Sequence, residues 1–150
     1  MPSRVVTADR HDDTVAELLG REPAGDYEVV VRDAAGAPVV IRNAPLLYDG
    51  TPMPTLYWLV GAAESRKVSQ LESRGGVRQA EAEVDIGALE RAHAAYARER
   101  DALIDPAYTG PRPSGGVGGT RKGVKCLHAH YAYYLVCGED PVGAWIEAHL

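Results

Sequence analysis

The most constraining feature of this sequence is a glycine-rich segment in its C-terminal third. Residues 110–123 contain six glycines and two prolines in 14 positions. Glycine loses more conformational freedom in a helix or strand than any other residue, and proline removes a backbone donor, so the segment predicts a loop. We expect a Gly/Pro-rich basic loop over residues 106–123. It lies within one domain over residues 1–150, because this length is a common domain size and no internal repeat or second linker is present.

The loop is also the basic part of an acidic protein. The chain carries a formal charge of −5, yet residues 106–138 contain no Asp or Glu and hold four cations, Arg112, Arg121, Lys122 and Lys125. Elsewhere 12 basic residues face 21 acidic ones, a balance of −9. Nucleic-acid binding usually needs a broad basic face, so this confined island argues against nucleic acid and predicts a small anion as partner. The alternative is that these cations only solvate an exposed loop.

Three runs of β-forming residues predict a small, mostly antiparallel sheet. Residues 27–32 and 39–42 are rich in β-branched side chains, and residues 33–37 between them fit the loop of a hairpin. The apolar run at 55–60 follows a proline-rich connection and predicts a third, buried strand. The fold class that follows is α+β, because helical patterns account for much of the remaining chain.

About four helices are predicted to cover this sheet, besides a short helix over residues 14–19. Two of them span residues 62–74 and 85–104, and the other two begin near Val124 and near Pro141. Gly75 and Gly76 fit a helix stop, and Asp140 fits an N-cap.

Two of these helices carry a predicted buried face. The stripe on the 85–104 helix consists of Ile86, Leu89, Tyr96 and Leu103, completed by His93 and Arg100. We expect His93 to be partly buried and hydrogen-bonded. The buried face of the last helix consists of Val142, Trp145, Ile146 and Leu150.

Cysteine content and hydropathy predict the cellular compartment of this protein. Cys126 and Cys137 cannot form a disulfide framework, and on one helix they lie about 16 Å apart, too far for a disulfide or a shared ion. We expect Cys137 to be a buried small residue. The sequence shows no secretory leader and no apolar run near the ~18 residues of a membrane span, which predicts a cytoplasmic protein with reduced thiols.

The order of glycines, cations and a following helix is suited to holding an anion. Backbone N–H groups of glycine approach an anion closely, and a helix N-terminus adds partial positive charge. The segment matches neither a P-loop nor a dinucleotide-binding motif, so neither ATP hydrolysis nor dinucleotide binding is inferred. The predicted ligand-binding residues are Gly118, Gly119, Thr120, Arg121, Lys122 and Lys125.

The loop is followed by the pattern Cys126-x-His128-x-His130. On one continuous helix His128 would point about 200° away from Cys126, whereas a helix that starts only near Leu127 would let the cluster converge. Three interpretations remain open. The three residues are ligands of zinc or another divalent transition metal, or catalytic groups in which a histidine activates the Cys126 thiolate, or structural residues of the core and its edge.

Three segments of the chain have a distinctive sequence. They are Gly-Thr-Pro-Met-Pro-Thr-Leu-Tyr-Trp-Leu at 50–59, Leu-Glu-Ser-Arg-Gly-Gly at 71–76 and Pro-Ser-Gly-Gly-Val-Gly-Gly-Thr-Arg-Lys-Gly-Val-Lys-Cys-Leu-His-Ala-His-Tyr-Ala at 113–132. With them the chain resembles the bacterial family catalogued as domain of unknown function 501. The resemblance implies a small cytosolic protein, often encoded near a division-initiator-like protein and an exopolyphosphatase, and therefore makes a phosphate-bearing ligand a reasonable expectation.

This chain departs from the family pattern at two places. Relatives often carry cysteine near the hairpin turn or after the Tyr-Trp-Leu run, where this chain has residues 33–36 and 60–62 without cysteine. The resemblance therefore does not imply a multi-cysteine metal centre here. A carboxylate such as Asp49 or Glu72 would have to assist Cys126 and the histidines.

Two functions from different classes follow. The first is binding of a small anionic, phosphate-bearing ligand at the glycine-rich loop, with Cys126, His128 and His130 supplying metal-assisted or thiol chemistry of a hydrolase or transferase. The second is a non-enzymatic interaction protein in cell-division or envelope control, whose loop orders on contact with a protein partner.

Overall fold

The computed structural model of this protein describes residues 5–9 and 12–150, with side chains from Asp12 onward. Four antiparallel strands form one sheet in the order β1 (Val5–Asp9), β2 (Tyr27–Arg32), β3 (Pro38–Asn43) and β4 (Tyr57–Leu59). The predicted hairpin is confirmed as β2 and β3, and the third predicted strand is confirmed as β4, which forms one edge of the sheet. β4 is shorter than the predicted 55–60 run. Before the strand, the N–H of Leu56 donates to the hydroxyl of Tyr96. After it, the N–H of Val60 still donates to the carbonyl of Val39.

Six α-helices occur in the described part of the chain, and with the sheet they confirm the α+β class. They are α1 (Asp13–Leu19), α2 (Ala62–Ser73), α3 (Gly76–Glu83), α4 (Ile86–Asp101), α5 (Leu127–Cys137) and α6 (Pro141–His149). Asp85 and Asp140 cap α4 and α6 as predicted. No helix in residues 12–150 is both long enough and apolar enough to cross a membrane.

The sheet has helices on both faces. The larger apolar cluster lies between the sheet and the helices α2–α6, and it includes Leu56, Tyr96, Leu127 and Ile146. A smaller cluster on the opposite face joins Val15 of α1 to Val29 and Ile41 of the sheet. β4 lies beside α5, so the N-terminus of α5 comes to the open edge of the sheet.

The predicted helix stop at Gly75 and Gly76 is confirmed, because α2 ends at Ser73 with Arg74 as its C-cap. The structure adds one helix, α3, that the sequence does not predict. Gly75 adopts a left-handed conformation with φ of 85°, and α3 starts at the next residue. One left-handed residue turns the chain without a longer loop, so two helices follow each other directly.

Three exposure predictions are wrong. Ile86 is 70% exposed, Leu103 46% and Leu150 49%, because each lies at or beyond the end of its helix, where no neighbouring element covers it. Within α4 the buried face instead contains Leu89, Ala92, His93, Tyr96 and Arg100.

Cys137 is exposed rather than buried. It is the last residue of α5, next to the left-handed Gly138, where the helix leaves the core.

Candidate functional site

Two helices bring a carboxylate, a thiol and an imidazole together. Glu72 lies near the end of α2, Cys126 directly precedes α5, and His128 is in the first turn of α5. One potential ligand atom from each side chain lies within 4.8 Å of the other two. All three residues are half-buried, so the cluster is reachable from solvent yet held by packed elements.

The starting point of α5 decides which residues meet. Cys126 is the N-cap and has extended backbone angles, with φ of −151°, while Leu127 is the first helical residue. The helix therefore begins late enough for the Cys126 and His128 side chains to converge, with 3.8 Å between Cys126 Sγ and His128 Nδ1. Glu72 Oε2 accepts the N–H of Leu127 at 2.8 Å. This hydrogen bond caps α5 and fixes the orientation of the carboxylate.

The imidazole of His128 is held by hydrogen bonds on both sides. Its Nε2 lies 3.2 Å from the carbonyl oxygen of Ser65, which can only accept, so Nε2 carries a proton. Ser69 Oγ lies 3.0 Å from the same nitrogen. The other nitrogen, Nδ1, faces the cluster, 3.3 Å from Glu72 Oε1. The hydrogen bond with Cys126 raises the pKa of His128, and the Glu72 charge adds to this effect, while burial opposes it.

His130 does not join this cluster. It is completely buried, and its Nδ1 lies 2.8 Å from Asp140 Oδ2 at the start of α6. Its Nε2 has no hydrogen-bond partner among the residues that the structure describes, and its ring centroid lies 5.6 Å from that of His93. Of the three residues in the Cys-x-His-x-His pattern, the structure therefore brings together the first two. His130 occupies the core, as the structural interpretation expects for it.

A pocket of about 300 Å³ opens beside this cluster at the edge of the sheet. Cys126, His128 and Lys125 line its polar side together with Gly118 of the glycine-rich loop. Its other wall is largely apolar and comes from α1, β4 and α5, with Leu19, Thr55, Tyr57, Trp58, Leu59 and Ala129. The size and the mixture of apolar walls with a few polar groups are typical of a small-molecule site.

The structure separates the predicted anion-binding residues. Lys125 and Gly118 border the pocket, whereas Arg121 and Lys122 are exposed and lie outside its lining. The N–H of Gly119 donates to the carbonyl of Gly116 within the loop. The hydroxyl of Thr120 donates to the carbonyl of Lys122. Arg112 donates to carbonyl groups of its own loop.

The helix N-terminus is also less available than predicted. The carboxylate of Glu72 already accepts the Leu127 N–H, so the first turn of α5 is partly neutralised from within the protein. Lys125 is therefore the main positive group at the pocket. Among the described residues no carboxylate forms an ion pair with it.

The glycine-rich loop is anchored by residues of α3 and α4. The N–H of Val117 donates to Nδ1 of His93 at 3.0 Å, and His93 Nε2 donates to the carbonyl of Gly123 at 2.9 Å. Arg100, 1% exposed, donates to the carbonyls of Pro54 and Gly115. The prediction that His93 is buried and hydrogen-bonded is confirmed.

Glu81 of α3 adds a further anchor, because one of its oxygens accepts the N–H of Val124 at 3.0 Å. Gly116 packs so closely on His93 that a Cβ there would lie 2.6 Å from the histidine side chain.

Two carboxylates were considered as partners for Cys126, and the structure selects one. Asp49 accepts the N–H of Thr51 within its own turn and takes no part in the cluster. Glu72 is in the cluster. The sequence does not predict that Arg100 and Glu81 anchor the loop. Their one local signal is that each is a charged residue on a helix face whose other side chains pack against the core.

Fold and site together define a class: an α+β protein with a ligand-sized pocket at the edge of an antiparallel sheet and a carboxylate–thiol–imidazole cluster at the polar side of that pocket. Comparison with protein families gives a match to the family described as "Protein of unknown function (DUF501)" over residues 29–148, and the chain belongs to this family. The resemblance found in the sequence is thereby confirmed. No curated protein and no solved structure matches the chain.

Proposed function

We propose that this protein binds a small organic anion, with a phosphate or a carboxylate as the charged group, in the pocket beside β4. The observation that carries the proposal is the composition of the pocket. Lys125, Cys126 and His128 lie on its polar side, and Trp58 and Leu59 lie on the apolar wall.

The charge distribution favours an anion over a cation. Lys125 is exposed and has no carboxylate partner among the residues described, so its charge is available to a ligand. The imidazole of His128, whose Nε2 donates to the Ser65 carbonyl, lines the same side of the pocket. Glu72, the nearby carboxylate, is not part of the pocket lining.

The apolar wall favours an organic ligand over inorganic phosphate. Trp58 lines the pocket, and the guanidinium of Arg21 lies 5.9 Å from the centroid of its ring. An aromatic or aliphatic group that buries roughly 100 Å² here would gain about 2.5 kcal/mol, at about 25 cal/mol per Å². This corresponds to an increase in affinity of roughly 70-fold.

The cluster beside the pocket supports a reaction as well as binding. A thiol next to an imidazole is the pair that nucleophilic catalysis uses, and a thiol with an imidazole and a carboxylate is also a metal-ligand set. Either chemistry would act on a ligand held at Lys125. A hydrolase or transferase is the enzyme class that we expect from this arrangement.

The alternative, an interaction protein whose loop orders on contact with a partner, has weaker support. Buried His93 and Arg100 already hold the loop through four hydrogen bonds to its backbone and its neighbour Pro54. A loop held in this way has little ordering left to gain from a partner, whereas a rigid loop beside a pocket suits a small ligand.

Lys125 provides the test. We expect phenyl phosphate to bind more tightly than inorganic phosphate in isothermal titration calorimetry. Lys125→Ala should weaken phenyl phosphate binding about tenfold, because an exposed charge-assisted contact contributes roughly 1.4 kcal/mol.

Lys122→Ala is the matched control, because it removes the same charge from a residue outside the pocket. Equal losses in both variants would mean that only the net charge of the loop matters. Unchanged binding in Lys125→Ala would contradict the proposal. The titrations are run in the presence of a chelator, so that they report the pocket alone.

A further inference from the structure

The cluster of Glu72, Cys126 and His128 has the geometry of a metal site. In a tetrahedral zinc centre, nitrogen and oxygen ligands lie about 3.4 Å apart, and nitrogen and sulfur ligands about 3.6 Å apart, given the usual zinc–ligand distances. The corresponding distances here are 3.3 Å, between His128 Nδ1 and Glu72 Oε1, and 3.8 Å, between His128 Nδ1 and Cys126 Sγ. The third pair, Glu72 and Cys126, has ligand atoms within 4.8 Å of each other, so a single ion would reach all three side chains after side-chain adjustments.

Hydrogen bonds outside the cluster orient two of the three ligands. The carbonyl of Ser65 holds the proton of His128 on Nε2, so the neutral imidazole presents the lone pair of Nδ1 to the cluster. The N–H of Leu127 binds one oxygen of Glu72 and leaves the other, Oε1, facing His128. Such outer contacts to histidine and carboxylate ligands are characteristic of protein metal sites.

The donor set identifies the class of ion. One thiolate, one carboxylate and one neutral imidazole balance the charge of a divalent cation. The mixture of sulfur, nitrogen and oxygen suits zinc or a similar borderline transition ion and does not suit calcium or magnesium, which prefer oxygen alone. Three protein ligands with one position left for water or substrate are the pattern of catalytic zinc sites, whereas structural sites have four protein ligands.

The position of the pocket indicates where the fourth coordination position of such an ion would lie. Two of the three ligands, Cys126 and His128, line the pocket, and Glu72 is not part of its lining. We infer that Glu72, Cys126 and His128 bind one divalent transition-metal ion of the zinc class, whose fourth coordination position opens into the pocket. The inference stands on the contacts of these three residues and does not depend on the anion proposal.

Cobalt titration tests the site directly. The full-length protein, without an affinity tag that binds metal, is reduced, treated with chelator and titrated with Co²⁺ in the absence of oxygen. We expect one ion per chain, a thiolate-to-cobalt charge-transfer band, visible bands typical of tetrahedral coordination, and loss of both when Zn²⁺ is added.

Variants assign the ligands. Glu72→Gln keeps an oxygen for the Leu127 N–H and removes one ligand charge, and His128→Ala removes the imidazole. Loss of an outer contact alone commonly lowers metal affinity 10- to 100-fold, so each of these variants should lose at least about 100-fold. Cys126→Ser should abolish the charge-transfer band. Cys137→Ser removes the other thiol, and Glu64→Gln removes a carboxylate from the same helix as Glu72. Both should bind cobalt like the unaltered protein.

Four results would overturn the inference. Three concern cobalt: the absence of stoichiometric binding, a charge-transfer band that survives in Cys126→Ser, and unchanged affinity in both Glu72→Gln and His128→Ala. Rapid alkylation of Cys126 that added Zn²⁺ does not slow would also overturn it and would instead assign the thiol a nucleophilic role. Circular dichroism of each variant ensures that loss of binding is not loss of fold.

Discussion

His93 is the residue that ties the glycine-rich loop to the rest of the protein. It accepts a hydrogen bond from Val117 at Nδ1 and donates one to Gly123 from Nε2, and these roles require the neutral imidazole. Burial lowers the pKa of His93 from its ordinary value of 6.5, and the bond with Gly123 opposes this only in part. A proton on Nδ1 would break the bond to Val117 at the point where the chain enters the 3-10 turn Val117–Gly119.

The lowered pKa predicts a loss of stability in acid. The unfolded chain takes up a proton at His93 below about pH 6.5, while the folded protein resists it, so the free energy of unfolding falls as the pH drops below that value. The slope from this one group is at most about 1.4 kcal/mol per pH unit. Urea denaturation between pH 7.5 and pH 5 should show a steeper fall in the unaltered protein than in His93→Gln.

His128 has a raised pKa and contributes with the opposite sign: its contribution is present at low pH and is lost as the pH rises through that raised pKa. It is present in both proteins, so it cancels in the difference between their pH profiles. Parallel profiles for the two proteins would show that His93 is not the group that titrates.

At the residue scale, local pattern predicts burial within a helix better than burial at its ends, and it does not predict long-range partners. The position of His93 on the inner stripe of α4 was enough to predict a buried, hydrogen-bonded side chain. The contact of Glu72 with Leu127 joins residues 55 positions apart, and nothing in the spacing of either segment indicates it. The convergence of Cys126 and His128 depends on where α5 begins, which the sequence left open between Val124 and Leu127.

At the scale of elements, α4 and α6 each begin at an aspartate N-cap, and the two aspartates differ in burial. Asp85 accepts the N–H of Ala88 at 2.8 Å, and Asp140 accepts the N–H of Gly143 at the same distance. The Asp85 carboxylate is exposed. The Asp140 carboxylate is completely buried and also binds His130, so it couples α6 to α5.

The two caps should differ strongly in their contribution to stability. Asp85→Ala should lower the free energy of unfolding by about 1 kcal/mol, the usual value of an N-cap. Asp140→Ala should cost at least about 3 kcal/mol, because it also leaves the buried His130 without its partner. Urea denaturation of both variants at pH 7.5 measures the difference. Equal costs would mean that the buried pair with His130 adds nothing to the cap.

Predictions for elements succeeded where capping or strand signals are local. The hairpin, α1 and α6 follow from β-branched runs, from Asp12 with Gly20, and from Asp140 with Pro141. The helix α3 was missed, because a pair of glycines equally fits a helix end and a one-residue break between helices. Tertiary contact decides between these, since Gly76 packs against Leu71 and Leu127 with no room for a side chain.

At the scale of the whole molecule, the fold places its chemistry at a sheet edge. The strand order makes β4 an edge, α5 begins beside it, and α2 brings Glu72 to the same point. The glycine-rich loop supplies Gly118 to the pocket and is held by buried groups of α4, and Lys125 follows the loop directly. Strand order and helix placement depend on long-range packing, so a sequence that names Cys126 and His128 as candidates cannot place them beside Trp58.

We propose that a metal ion at Glu72, Cys126 and His128 and an organic anion at Lys125 share one pocket. Anomalous diffraction at the zinc absorption edge, from crystals grown with Zn²⁺ and phenyl phosphate, tests it most directly. We predict one zinc peak between Glu72 Oε1, Cys126 Sγ and His128 Nδ1, with the phosphate group in the pocket beside Lys125 and the phenyl ring against Trp58. A zinc peak held by other side chains, with this cluster and the pocket both empty, would contradict the account.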